Sequence, residues 1–77
     1  MNMNIKKQSF RLAQRIARVS GMKEGVLAFV QPGQYKNFYE TTAAGRLAAA
    51  RDFIMEKPGT KLYLFPYGER YPIWIAG

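Results

Sequence analysis

Residues 61–76, K-L-Y-L-F-P-Y-G-E-R-Y-P-I-W-I-A, decide the fold because they predict a β-hairpin with two chemically different faces. Glycine suits the first central position of a type II′ turn, so Gly68-Glu69 is predicted as the two-residue turn between the strands. Side chains alternate between the two faces of a strand, so this turn also sets the faces. One face carries Leu64 opposite Ile73 and Leu62 opposite Ile75, and the other carries Tyr63 opposite Trp74 and Phe65 opposite Pro72.

The aromatic face of this hairpin has three interpretations. It is core beneath a helix, a platform on which nucleic-acid bases stack, or a surface for a protein partner. The core interpretation is favoured, because a chain of 77 residues has few large rings to spare. The residues considered for stacking or partner binding are Tyr63, Phe65, Tyr67, Arg70 and Trp74, and Tyr35 and Tyr39 are expected to extend the face on a neighbouring hairpin.

A helix is predicted over residues 5–20, and Gly21 ends it. One stripe of this helix carries Ile5, Ser9, Leu12, Ile16 and Val19 at helical spacing. Beside that stripe, cations recur at spacings of four, four and three residues. These cations, here called the basic ladder, are Lys7, Arg11, Arg15 and Arg18. Like charges at such spacings repel by roughly 0.2–0.5 kcal/mol per pair, and a polyanion would relieve that repulsion. The ladder is interpreted as a solvated helix face, a surface for phosphates or a surface for an acidic protein partner, and the solvated face is favoured.

The middle of the chain predicts a second hairpin followed by a helix. Residues 26–31 form an apolar strand, Pro32-Gly33-Gln34 a turn of about three residues, and residues 35–40 an alternating strand. Thr41 or Thr42 is the expected N-cap of a helix that stops before Pro58-Gly59. Gly45 within that helix either permits a close contact or is simply tolerated, and the tolerated glycine is favoured. The predicted buried stripe of this helix is Ala43, Leu47, Ala50 and Ile54.

Residues 29–50, F-V-Q-P-G-Q-Y-K-N-F-Y-E-T-T-A-A-G-R-L-A-A-A, form a unit of hairpin, threonine cap and alanine-rich helix. This unit resembles the strand-then-helix core of AP2-type and integrase arm-binding DNA modules. The resemblance covers less than half of the chain, and the second hairpin departs from that pattern. No site residue is therefore assigned from it.

Together these elements predict an α+β protein with the order αββαββ. The expected architecture is an N-terminal helix, a β-hairpin, a second helix and a second β-hairpin, with a four-stranded antiparallel sheet packed with one or two helices. Residues 1–5 are predicted to form a flexible N-terminal tail that leads into the first helix. Residues 6–77 are predicted to form a single small α+β domain, because the chain is too short for two hydrophobic cores.

The composition disfavours several classes of chemistry. The chain has no cysteine and no histidine, which removes disulfides, thiolate nucleophiles and the usual zinc ligands. No metal and no cofactor are expected. The five acidic residues are scattered and offer no predictable acid–base pair, so the protein is not expected to be an enzyme. No apolar run approaches the roughly twenty residues that cross a bilayer, so no transmembrane segment is expected and the cytoplasm is the expected location.

Twelve lysines and arginines against five acidic residues give a formal net charge of +7, which favours polyanionic partners. The leading hypothesis is a small non-catalytic protein that contacts the backbone of DNA or RNA, with low specificity, through Lys6, Lys7, Arg11, Arg15, Arg18 and Lys23. The alternative is an accessory protein of the phage or mobile-element type, which docks on an acidic surface of a host protein and regulates or inhibits it. Self-association into a homo-oligomer is a further alternative.

Overall fold

The protein is a two-layer structure of one antiparallel sheet and two helices. The computed structural model describes the backbone of residues 2–77 and the side chains of residues 7–77. The elements are α1 (Asn2–Ser20), β1 (Gly25–Gln31), β2 (Gln34–Glu40), α2 (Ala43–Met55), β3 (Lys61–Pro66) and β4 (Ile73–Ala76). The strands form one sheet in the order β2-β1-β3-β4, and every neighbouring pair is antiparallel. The predicted α+β class and the order αββαββ are confirmed.

The first helix begins earlier than the sequence predicts. α1 starts at Asn2, so residues 2–5, which the sequence assigns to a tail, have helical backbone, and Met1 lies outside the described residues. No proline or glycine interrupts this segment, so it contains no strong helix breaker that would stop the extension of the helix. The helix ends before Gly21 as predicted, and the Gly21 N–H donates to the Ala17 carbonyl at 2.8 Å.

The C-terminal hairpin largely keeps the predicted register. Tyr63 pairs with Trp74 and Leu64 pairs with Ile73, as predicted. An irregularity beyond Tyr63 then shifts the register by one residue, so Leu62 pairs with Ala76 rather than with Ile75.

The turn of this hairpin differs from the prediction. Residues 67–72 connect β3 to β4, so the two-residue turn Gly68-Glu69 is wrong, and the predicted pair of Phe65 with Pro72 does not form. The Glu69 N–H donates to the Pro66 carbonyl at 3.3 Å, which places Gly68 third in a four-residue turn. Gly68 has a φ of 76°, and a type II turn requires such a positive φ at its third residue.

The first hairpin turns more tightly than expected and contains a register shift. Gln31 pairs with Gln34, so Pro32-Gly33 alone forms the turn. The register changes between Ala28 and Val30, which disturbs the simple alternation predicted for residues 35–40. As a result Tyr35 lies opposite Val30 and Phe38 opposite Ala28, on one face of the sheet, while Tyr39 lies opposite Leu27 on the other face. The predicted common face of Tyr35 and Tyr39 is therefore wrong.

Both helices cover the same, aliphatic face of the sheet. One buried cluster joins α1 and α2 to the strands, and it contains Ile16, Leu27, Phe29, Ala49, Ala50, Leu62, Leu64, Ile75 and Ala76. Leu12 and Val19 of α1 pack against this cluster as well. The apolar stripe of α1 is thus buried without the aromatic rings. The prediction that the aromatic hairpin face is core beneath the first helix is wrong.

The second helix is capped as predicted but buries a different stripe. Thr42 is the N-cap, and its hydroxyl accepts from the Gly45 N–H at 3.0 Å. Ala49 and Ala50 are fully buried and Phe53 packs against the core, whereas Ala43 and Leu47 of the predicted stripe are exposed. The contact between α2 and α1 rotates the buried stripe toward the first helix. The sequence cannot show this rotation because alanines lie on several sides of α2.

Candidate nucleic-acid interface

The basic ladder forms an exposed row of cations along α1. Lys7, Arg11, Arg15 and Arg18 are all exposed. The ion pairs within residues 7–77 join Lys23 to Glu69 and Lys36 to Glu56, and neither includes a ladder residue. Of the ladder side chains, Arg15 makes a hydrogen bond in this part of the chain, donating from Nη1 to the Ile75 carbonyl at 3.4 Å.

The acidic residues of the protein are engaged elsewhere. Asp52 accepts from the Tyr39 hydroxyl, Glu56 from Lys36 at 2.7 Å and Glu69 from Lys23 at 2.8 Å. Glu40 accepts a hydrogen bond from the Tyr67 hydroxyl at 2.8 Å. Four of the five carboxylates therefore have partners away from the ladder. The positive charge of α1 is left uncompensated by the side chains that the structure describes.

Two further cations proposed from the sequence have different surroundings. Lys23 follows the ladder beyond the end of α1, and its ammonium group pairs with the Glu69 carboxylate at 2.8 Å. The hydrogen bond and the charge of Lys23 lower the pKa of Glu69. Lys23 thus carries a partly compensated charge. The Lys6 side chain lies outside the described part of the chain.

The second surface of interest is the uncovered face of the sheet. This surface, here called the open sheet face, carries the rings of Tyr35, Phe38, Tyr63, Phe65 and Trp74. The exposed fraction is 53% for Tyr35, 62% for Phe38 and 53% for Trp74, while Tyr63 and Phe65 are half-buried. Neither helix packs on this side, so the rings face solvent.

The rings of the open sheet face contact one another across three strands. The Tyr35 ring centroid lies 5.7 Å from that of Phe38 and 5.3 Å from that of Phe65, and the Phe65 and Tyr63 centroids are 6.3 Å apart. Ala28 lies between Phe38 and Tyr63 in the register and is fully buried although no helix covers it. The small side chain of Ala28 leaves room for these rings to lean together above β1.

Two sequence candidates on the hairpin lie beyond this surface. Tyr67 and Arg70 belong to the loop of residues 67–72, and both are exposed. The Tyr67 hydroxyl donates to Glu40, and this hydrogen bond is the main reason that the pKa of Tyr67 is raised. The Tyr67 ring is therefore tied to the end of β2 rather than to the rings on the sheet.

The structure adds Tyr35 and Phe38 to the hairpin residues Tyr63, Phe65 and Trp74. Tyr35 was expected on this face, but Phe38 was missed because strict alternation separates it from Tyr35. Only the register shift opposite Ala28 brings the two rings to one side. A signal in the sequence was the adjacent pair Phe38-Tyr39, because consecutive strand residues point to opposite faces and one of the two rings must leave the covered face.

The basic ladder and the open sheet face approach each other at the β4 edge of the sheet. Arg15 reaches the backbone carbonyl of Ile75 from the helix side. Trp74, the preceding residue, projects from the opposite side of the same strand, next to Tyr63. A ligand that follows β4 would therefore meet the Arg15 guanidinium on one side and the Trp74 indole ring on the other.

Comparison with known proteins adds no assignment. No protein-family model matches the chain, and neither the curated proteins nor the solved structures contain a match to it. The described residues include no group of three or more acidic side chains placed to hold a metal ion. Neither helix, over the described residues, is long and apolar enough to cross a membrane.

Proposed function

We propose that this protein is a non-catalytic nucleic-acid-binding protein that holds phosphate groups on the basic ladder. The observation that supports this function is the exposed row of Lys7, Arg11, Arg15 and Arg18, none of which is in an ion pair within residues 7–77. Cations at these spacings repel one another, and phosphates placed along the helix convert that repulsion into attraction.

The distribution of charge over the whole chain agrees with this proposal. The net charge is +7, and four of the five acidic residues have partners outside the ladder. A polyanion approaching α1 therefore meets little negative charge. Contacts to phosphates carry no base sequence, so binding is of low specificity and accepts DNA or RNA. The proposed location is the cytoplasm, where both polymers are found.

The test is a fluorescence anisotropy titration with a labelled oligonucleotide at several salt concentrations. The double variant Arg11→Glu/Arg18→Glu reverses two exposed ladder charges while keeping the Arg15 contact with β4. We expect weaker binding and a salt slope that is smaller by about 1 for each lost phosphate contact. Circular dichroism verifies that the variant remains folded.

A matched control changes the same amount of charge outside the ladder. Arg51→Glu/Lys57→Glu reverses two exposed cations at and beyond the end of α2, so both double variants lower the net charge from +7 to +3, because each reversal removes two units. The ladder variant is expected to bind more weakly than this control. Equal losses in the two variants, or no binding by the wild-type protein at low salt, would contradict the proposal.

A second candidate function is docking on another protein, as accessory proteins of phages and mobile elements do. The open sheet face favours it, because an aromatic surface with few charges is typical of the centre of protein interfaces. Under this function the protein has no affinity for DNA or RNA in the titration. It would instead bind a host protein through the open sheet face or present the ladder to an acidic surface.

A further inference from the structure

We propose that the open sheet face stacks the bases of a single-stranded nucleic acid whose phosphates contact the basic ladder along the β4 edge. This inference rests on the proposed function and adds the form of the polymer and the position of its bases. The inference assigns a role to five rings that are not involved when phosphates bind to the basic ladder, namely Tyr35, Phe38, Tyr63, Phe65 and Trp74.

The exposure of these rings is not explained by folding. In a two-layer protein, an antiparallel sheet usually presents polar residues on its solvent face. Here that face carries five aromatic rings, and Phe38 remains 62% exposed. The hydrophobic core is complete without them, because it is formed by the aliphatic face and the two helices. Exposed apolar surface of this kind marks a binding site.

The rings form a surface suited to flat ligands. Tyr35 links Phe38 to Phe65, and Phe65 continues to Tyr63, with centroid separations of 5.3–6.3 Å. Tyr63 is paired with Trp74 on the neighbouring strand. The rings therefore extend from β2 to the β4 edge. Every base has an aromatic face, so such a surface accepts bases without selecting their sequence.

Trp74 is held in place before any ligand binds. Its indole Nε1 donates to the Gly77 carbonyl at 3.1 Å, and yet the residue is 53% exposed. The polar edge of the indole is satisfied by this hydrogen bond, and the remaining exposed surface of the side chain is apolar. A ring that is already oriented loses little conformational freedom when a base stacks on it.

The ladder determines which occupant fits this surface best. Arg15 contacts the Ile75 carbonyl on one side of β4, and Trp74 projects from the other side. A single strand can place its phosphates beside the arginines and turn its bases over the edge onto Trp74 and Tyr63. A duplex cannot do this, because its bases are stacked and paired inside the helix.

Charge also disfavours a second copy of the chain as the occupant. Each copy carries a net charge of +7, so two copies repel one another. Among the charged residues whose strand positions put them on this side are Lys61 and Glu40, and Glu40 already accepts from Tyr67. The open sheet face therefore has little charge with which to attract a second basic protein, whereas bases need none.

The test compares three labelled probes of equal length by fluorescence anisotropy. They are oligo(dT), the duplex of oligo(dT) with oligo(dA), and an abasic oligomer that has the phosphate backbone without bases. The abasic probe measures the ladder alone. We expect oligo(dT) to bind more tightly than the abasic probe, by roughly fivefold to a hundredfold for each stacked base. We also expect its binding to exceed that of the duplex and to quench the fluorescence of Trp74, the single tryptophan.

Two variants separate stacking from apolar contact in general. Trp74→Leu retains an apolar side chain but removes the flat ring, and it should lower oligo(dT) affinity at least fivefold while leaving abasic binding unchanged. Tyr71→Leu is the matched control, because Tyr71 is exposed in the loop outside the open sheet face, and it should leave both affinities unchanged.

The outcomes for the two proposals differ. If the abasic probe and oligo(dT) bind equally, with equal loss in the ladder variant, the stacking inference is overturned and the proposed function stands. If no probe binds at low salt, both proposals are overturned. A dimer seen by analytical ultracentrifugation and abolished by Trp74→Leu, without any preference for bases, would assign the open sheet face to a second copy instead.

Discussion

The two faces of the same sheet differ in what covers them rather than in how apolar they are. Phe29 and Phe38 belong to neighbouring strands of the first hairpin, yet Phe29 is 0% exposed and Phe38 is 62% exposed. Phe29 belongs to the buried cluster that includes residues of both helices and contacts the Phe53 ring of α2, whereas neither helix covers Phe38. Hydrophobicity therefore predicts which residues would be stabilised by burial, while the placement of the helices decides which of them are buried. The uncovered rings are available to a ligand for that reason.

The largest expected effect comes from truncating the same residue type on each face. Phe29→Ala removes a fully buried ring and should lower the free energy of unfolding by about 3–5 kcal/mol. A domain of this size has roughly that much stability in total, so the variant should be largely unfolded at 25 °C by circular dichroism. Phe38→Ala should change the free energy of unfolding by less than about 1 kcal/mol in urea denaturation.

A milder variant keeps this comparison measurable. Phe29→Leu retains an apolar side chain and should remain folded while costing about 1–1.5 kcal/mol. Phe38→Leu should cost less than Phe29→Leu. Equal losses at the two positions would mean that the open sheet face is buried in solution, for example by self-association, and would remove the distinction between the faces.

The next largest effect on the free energy of unfolding is expected where the start of α2 lies against the end of β2. A Cβ atom at Gly45 would clash with the backbone carbonyl oxygen of Glu40, so the interpretation of Gly45 as a simply tolerated glycine is wrong. Alanine normally stabilises a helix relative to glycine by about 1 kcal/mol. We expect Gly45→Ala to have the opposite sign here and to destabilise the protein by about 1–3 kcal/mol in urea denaturation, because the first turn of α2 must move.

The exposed neighbour Ala44 provides the control for the sign of the Gly45→Ala effect. Ala44→Gly should cost no more than about 1 kcal/mol, which is the ordinary preference for alanine in a helix. A stabilising Gly45→Ala substitution would show that α2 does not approach β2 this closely.

A smaller effect is expected at the cap of the same helix. The Thr42 hydroxyl accepts from the Gly45 N–H at 3.0 Å, and Thr42→Ala should lower the free energy of unfolding by about 1 kcal/mol. Thr42→Ser keeps the oxygen atom and should recover most of this loss. If serine and alanine destabilise equally, the cap does not act through its hydroxyl group.

The order of elements was predictable because its signals are local. Pro32-Gly33 marks a turn, Thr42 a helix start and Pro58-Gly59 a helix end, and each acts through nearby residues. The pairing of Tyr63 with Trp74 was also predicted, although its turn was wrong. The longer turn keeps the pairs of Tyr63 with Trp74 and of Leu64 with Ile73, so the aliphatic and aromatic faces of the hairpin were predicted correctly.

The candidate site was only partly predictable because its remaining features are not local. The basic ladder follows from helical spacing and is exposed as expected. The placement of α1 depends on contacts with α2 and with strands far along the chain, so the sequence did not show which face it covers. The register shift opposite Ala28, which adds Phe38 to the open sheet face, has no glycine or proline to mark it in β2.

A further expected effect is a pH dependence on the covered side of the sheet. Tyr39 packs against the core and donates its hydroxyl to Asp52 of α2. This hydrogen bond is the main cause that raises the pKa of Tyr39 from 10.0 to about 12, with burial and the charges of Asp52 and Glu56 adding to it. Between these two pH values the unfolded chain loses a proton that the folded protein keeps. The free energy of unfolding should therefore fall as the pH rises from about 10 to about 12.

Tyr39→Phe should remove this part of the pH dependence, because phenylalanine has no hydroxyl proton. In urea denaturation, the difference in the free energy of unfolding between the wild-type protein and Tyr39→Phe should be constant below about pH 10. It should shrink as the pH approaches about 12. Tyr67→Phe is the comparison on the exposed side, since Tyr67 makes the same kind of bond to Glu40 in full contact with solvent. Water screens that bond, so Tyr67→Phe should alter the pH dependence of the free energy of unfolding less than Tyr39→Phe does. A larger change for Tyr67 would mean that β2 is held to α2 less firmly than the buried cluster implies.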